Sequence, residues 1–103
     1  MQDQIKLLNI SDRIYEKYRC LVRNNINCTK EECRKKLTRD FILGSERCSD
    51  YNFRYIIRNY GKLFISVDMD TLNIIDITNR KCKPSSIFIN PREKEDLNKL
   101  MKI

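Results

Sequence analysis

Ile14, Tyr18, Leu21, Val22 and Asn25 follow one another at the steps of a single helical face, and the first four form an apolar stripe. The pattern predicts a helix over about 12–24. Thr29-Lys30-Glu31-Glu32 reads as a capping box, in which the Thr hydroxyl accepts from an amide near position 32 and Glu32 reaches back to the cap. Cys33, Leu37 and Phe41 then recur every fourth residue, and Gly44 offers the left-handed conformation that commonly closes a helix. A second helix is predicted over 30–43. Ser49-Asp50 supplies another N-cap, after which Phe53, Ile56, Ile57, Tyr60, Phe64 and Val67 keep helical spacing, so a third helix is predicted over 50–67. Gly61 lies inside that run, where it costs about 1 kcal/mol relative to Ala.

From Leu63 onward a second pattern competes. β-Branched residues accumulate, and the run LFISVD-MDT-LNIIDIT reads as two strands around a short turn, with Leu63, Ile65 and Val67 on one face. Beyond it, NRKCKPSS is turn-like, SIFIN is a short extended run, and Pro91 opens a short polar terminal helix. Two architectures follow. The preferred one is mainly α: an antiparallel three-helix bundle in a single domain, residues 1–78, with residues 79–103 as an extended C-terminal tail. The alternative is an α+β winged helix, three helices plus a β-hairpin at 63–78.

Charge narrows the function. The chain carries a net charge of +7, and between residues 13 and 62 thirteen Lys/Arg face six Asp/Glu, so an anionic partner should meet the first two thirds. There is no His, which removes the commonest general base and metal ligand, and neither a nucleophile paired with a base nor a carboxylate cluster is present. No catalytic residue and no metal site are therefore expected, and the protein is read as a non-enzyme. Five cysteines, an odd number without a C-x-x-C pair, suggest reduced thiols and neither a zinc knuckle nor a disulfide framework. The N-terminal stretch lacks a signal-peptide pattern and no run approaches the roughly 18 apolar residues of a membrane span, so neither secretion nor membrane spanning is expected. Richness in Ile, Asn and Lys fits an AT-rich genome, such as that of a protozoan parasite or a large DNA virus.

On the predicted helices Arg19 and Arg23 are four apart, as are Lys35 and Arg39, while Arg54, Arg58 and Lys62 make a three-member ladder. Tyr18-Arg19-Cys20-Leu21-Val22-Arg23, followed by Arg39-Asp40-Phe41 and Arg58-Asn59-Tyr60-Gly61, resembles the Leu-Tyr-Arg motif proteins of mitochondria, particularly their respiratory-complex assembly factors. Lys17 stands where the motif has its leading Leu. The resemblance implies a non-catalytic mitochondrial adaptor that docks on an acidic, acylated acyl carrier protein. Tyr18, Arg19, Arg23, Lys35, Arg39, Arg54, Arg58 and Lys62 would then form the partner-binding surface. The acyl chain, carried on the partner's phosphopantetheine, would enter a slot among Tyr18, Leu21, Phe41, Ile57 and Phe64, with no cofactor bound directly by this chain. The winged-helix alternative is a small nucleic-acid-binding or regulatory protein of the cytoplasm or nucleus, or of a virus. It would offer Arg54 and Arg58 to a groove and use the hairpin as a wing, whose tip carries Asp68 and Asp70 and so repels phosphate.

Overall fold

Two hydroxyl caps start the helical half of the molecule. Ser11 Oγ accepts from the Ile14 amide at 3.2 Å and opens α1, Asp12–Leu21. Thr29 Oγ1 accepts from the Glu32 amide at 3.1 Å and opens α2, Lys30–Leu43. Each satisfies an amide that the first helical turn would leave without a partner. α1 closes at Leu21, where Val22 turns extended, earlier than its apolar stripe suggests. The structure is a computed structural model and describes residues 6–22, 25–49, 55–79 and 91–103.

The rest departs from the three-helix expectation. After α2 the chain forms β1 (Ser45–Ser49), β2 (Tyr55–Tyr60), β3 (Leu63–Asp68) and β4 (Asn73–Asn79), then α3 (Pro91–Met101). The strands make one antiparallel sheet in the order β1-β2-β3-β4. The fold is α+β, not a helical bundle, and most of the predicted third helix, 50–67, is the β2–β3 hairpin; residues 50–54 lie outside the described residues. The α+β alternative is closer, since β3 and β4 occupy the expected hairpin at 63–78. Its recognition helix, however, is replaced by β2.

The registers explain why helical spacing misled. Paired residues in a ladder share a face, and the pairs Ile56↔Val67, Arg58↔Ile65 and Tyr60↔Leu63 put Ile56, Arg58 and Tyr60 toward the helices. Ile57 and Asn59 pair with Ser66 and Phe64 on the other face. With an arginine inward and an isoleucine outward, β2 shows no polar–apolar alternation. Gly61 is the deciding residue: at φ 62 it takes the first position of the two-residue loop between Tyr60 and Leu63, the place that type II′ hairpin turns reserve for glycine.

One core lies between the helices and the sheet. Ile14, Tyr18, Cys33, Leu37 and Phe41 from α1 and α2 meet Leu63, Ile65, Val67, Ile74 and Ile77 from β3 and β4. α1 lies along β4, α2 on β2, and α3 packs against α2, where Met101 is buried. The terminal helix is thus docked on the helical layer. The N-terminal segment is tied in too. Leu8 is buried, and Asn9 bridges to Asn73, its amide donating to the Leu72 carbonyl at 2.7 Å and its carbonyl accepting from Ile74 at 2.9 Å. Together with Arg13, which donates to the Ile75 carbonyl at 2.7 Å, this engages backbone along the otherwise open edge of β4. The SIFIN run lies outside the described residues.

Candidate anion-binding cleft

Where α1 ends, the β2–β3 loop turns and β4 finishes, the side chains leave a cleft of about 440 Å³. α1 and the residues after it contribute Tyr18, Leu21, Val22 and Asn25. α2 contributes Lys36, Arg39 and Asp40, spaced so that the first two lie a helical turn apart. The hairpin brings Tyr60, Lys62 and Leu63, β4 brings Asn79, and α3 brings Lys94. Tyr18, Asn25, Asp40 and Leu63 are buried and form the floor, whereas Lys62 and Asn79 are exposed at the rim.

The cleft's charges are arranged unequally. Arg39 is committed: its Nε and second guanidinium nitrogen meet Asp40 Oδ1 at 3.0 and 2.9 Å, and its other terminal nitrogen donates to Asn98 Oδ1 at 3.0 Å. Burial pushes the Asp40 carboxyl above its ordinary range, and Arg39 offsets part of that cost by favouring the ionised form. Burial likewise drives the Tyr18 phenol upward, with Asp40 adding to the effect, so Tyr18 stays neutral. Lys36 Nζ spends one donor on Asn25 Oδ1 at 2.8 Å. Lys94 Nζ lies 5.4 Å from the centre of the Tyr60 ring, within cation–π range. Neither Lys62 nor Lys94 has a carboxylate partner among the described residues.

Elsewhere many of the cations are matched. Arg13 and Lys17 share Asp76, whose carboxyl is held below its usual range chiefly by the Lys17 hydrogen bond at 2.7 Å. Lys30 pairs with Asp12, Arg34 with Glu31 and Lys99 with Glu95. At the cleft, Lys36, Arg39, Lys62 and Lys94 gather around the single carboxylate of Asp40, which Arg39 pairs directly and which Lys94 and Lys36 also help to hold ionised, so the lining carries more positive than negative charge.

Of the residues singled out from sequence, Tyr18, Leu21, Arg39 and Lys62 meet at this cleft. The rest are dispersed. Arg19 donates to the Ile26 carbonyl at 2.8 Å, pairs with Glu16 and stacks over Tyr15, tying down the turn after α1. Lys35 is half-buried on α2, away from the cleft lining. Arg58 is on a strand, its guanidinium 4.5 Å from the centre of the Phe41 ring and donating to the Phe41 carbonyl at 3.1 Å, so it caps the C-terminal end of α2. The 54/58/62 ladder has no helix to stand on, and Arg23 and Arg54 lie outside the described residues. The expected acyl slot is divided by the sheet: Phe41 is in the core, while Ile57 and Phe64 face the opposite side. Sequence reasoning passed over Lys36, Tyr60, Asn79 and Lys94. Lys36 was within reach, being one turn from Arg39, but Lys94 depends on how α3 docks.

Among the described residues no cluster of three or more His, Cys, Asp or Glu could hold a metal ion, and no helix is long and apolar enough to cross a membrane. No curated protein and no solved structure matches the chain. Residues 8–100 match the family model of YorE, a description that gives a name and no activity. This match and the four-stranded sheet overturn the resemblance to the Leu-Tyr-Arg proteins, and with it the mitochondrial assembly-factor and helical-bundle readings. Since the match runs from the first core residue, Leu8, to within three residues of the C-terminus, the chain belongs to the YorE family.

Proposed function

We propose that this protein is a small, non-catalytic nucleic-acid-binding protein that holds the phosphate backbone at the cleft between α1, α2, α3 and the β2–β3 turn. The observation carrying this reading is the convergence of Lys36, Lys62 and Lys94 from three separate elements, backed by an Arg39 whose charge is already balanced by Asp40. Lysines without carboxylate partners repel one another, and a phosphodiester relieves that repulsion while accepting their ammonium protons. An acidic protein surface could supply the same charge. The three basic helix faces that recommended such a partner do not exist as a set, however, because one falls on a strand and Arg19 is engaged within its own chain.

Fluorescence anisotropy with labelled DNA and RNA tests the reading. Three lysines on phosphates predict that log affinity falls with log salt at a slope of about two to three. Lys36→Glu, Lys62→Glu and Lys94→Glu should each weaken binding on the order of tenfold, since each replaces an attraction by a repulsion of similar size. Absence of binding at about 50 mM salt, or binding indifferent to all three substitutions, rejects the proposal.

A further inference from the structure

The cleft is not lined as a bare phosphate clamp. Between its lysines, over the buried Tyr18 and Leu63, stand Leu21, Val22 and Tyr60, half-buried apolar and aromatic side chains that phosphate alone would leave partly in water. From this we infer, building on the proposed function, that the ligand is single-stranded nucleic acid, one unstacked base of which enters the cleft against Tyr60 while its flanking phosphates rest on Lys36, Lys62 and Lys94.

Three features of the molecule carry this. The first is concavity. A volume of about 440 Å³ falls within the range of roughly 300–1,000 Å³ typical of clefts that enclose a small organic group. A duplex keeps its bases stacked inside and its phosphates on a convex surface, so it can fill such a cleft only by extruding a nucleotide, at the expense of a stacked pair. A single strand has no pair to break.

The second is the pairing of ring and charge. Tyr60 is half-buried at the end of β2, fixed by its pairing with Leu63, and its ring already attracts the Lys94 ammonium. An aromatic platform beside a row of cations is the arrangement by which proteins hold single strands without reading sequence, because every base has a π-face.

The third is the pair of amides. Asn25 is fixed by Lys36, and Asn79 donates through Nδ2 to the Leu21 carbonyl at 3.0 Å, leaving its own Oδ1 as an acceptor at the rim. Amides at the floor and the rim of the cleft suit the polar edge of a base better than the even charge of a phosphate.

The experiment compares four probes of matched label: a single-stranded DNA, a single-stranded RNA of the same sequence, the DNA duplex, and the mononucleotide. Both single strands should bind more tightly than the duplex, with the DNA and RNA arms identifying which the cleft prefers. Tyr60→Leu keeps an apolar side chain at that position and should cost the single strands about 5- to 150-fold in affinity, the loss of one stacked base, while leaving the salt slope unchanged. Lys62→Glu should instead lower the slope by about one contact for every probe that carries a backbone. A thermal melt of Tyr60→Leu controls for folding, and Tyr60→Phe, which keeps the ring, should restore binding.

A duplex bound as tightly as the single strand, or a Tyr60→Phe variant as weak as Tyr60→Leu, overturns the inference and leaves the proposed function standing. A mononucleotide bound as tightly as the strand also overturns it. Failure of every nucleic acid to bind removes the proposed function itself.

Discussion

Arg39 and Asp40 are neighbours in sequence whose side chains fold back on each other inside the protein, with only 13% and 5% of each exposed. A buried carboxylate costs several kcal/mol unless it is paired, so the partner matters more than the net worth of the pair. Arg39→Met should destabilise the protein by about 3–5 kcal/mol at neutral pH, because the buried Asp40 charge then loses its hydrogen-bonded counter-ion and keeps only the more distant Lys94 and Lys36. The sign of the pH dependence follows from burial. Asp40 is raised above its ordinary 3.8, so between that value and its folded one the native state holds more protons than the unfolded chain, and stability falls as pH rises through the window. Removing Arg39 raises the folded value further and widens the window. Urea unfolding from acid to neutral pH should therefore show the deficit of Arg39→Met shrinking toward acid. A deficit of the same size at every pH would mean that Arg39 acts through its contact with Asn98 instead.

The thiols obey the same rule. Burial pushes the Cys33 thiol up to about 12, beside a buried Cys28, whereas Cys20 lies exposed on α1. Cys28 and Cys33 are core packing residues, in accord with cysteine's frequency in cores.

At the scale of elements, the junction between α2 and β1 turns on Gly44. Glycine after a helix suggests a left-handed closing residue, but Gly44 is extended, at φ −72 and ψ 163. Its need for glycine is spatial: a Cβ there would lie 2.9 Å from the Asp40 carbonyl oxygen and 3.0 Å from that of Asn59, both backbone atoms. Gly44→Ala should thus cost about 1–3 kcal/mol by pushing β2 away from α2, a loss measurable as a lowered urea midpoint with unchanged slope. An unchanged midpoint would show that the junction yields easily.

The elements that were legible in the sequence are those whose signals are local. Ser11 and Thr29 cap α1 and α2 where hydroxyls precede apolar stripes, Leu63, Ile65 and Val67 alternate into the core, and Pro91 opens α3. β2 was illegible because its inward Arg58 and outward Ile57 are fixed by tertiary partners, the Phe41 ring and the far face of the sheet. A helical period then emerged by coincidence from strand residues flanking a turn. The cleft was half legible for a related reason: Arg39 and Lys62 stood out as basic positions, but which cations share a cleft depends on a sheet that periodicity had hidden.

For the whole molecule, the two turns of β3 define a polarity. The β2–β3 turn carries Lys62 at the cleft, and the β3–β4 turn carries Asp68 and Asp70, where Asp68 Oδ1 accepts from the Asp70 amide at 2.9 Å. The six residues of β3 separate these ends by about 17–20 Å, roughly twice the screening length of about 8 Å at physiological salt. An anion held at the cleft is therefore electrostatically insulated from the acidic turn, whereas a protein that used this hairpin as a wing would bring Asp70 against phosphate. The two geometries respond differently to one substitution. Asp70→Lys keeps the backbone amide that donates to Asp68 Oδ1 in the turn and converts the exposed tip from repulsive to attractive. With the cleft as the binding site, affinity for nucleic acid in anisotropy at about 150 mM salt should change by less than about twofold, against the tenfold order expected for Lys62→Glu. A gain of tenfold or more, with a steeper salt slope, would place the phosphate at the β3–β4 turn and assign the lysines of the cleft to another role.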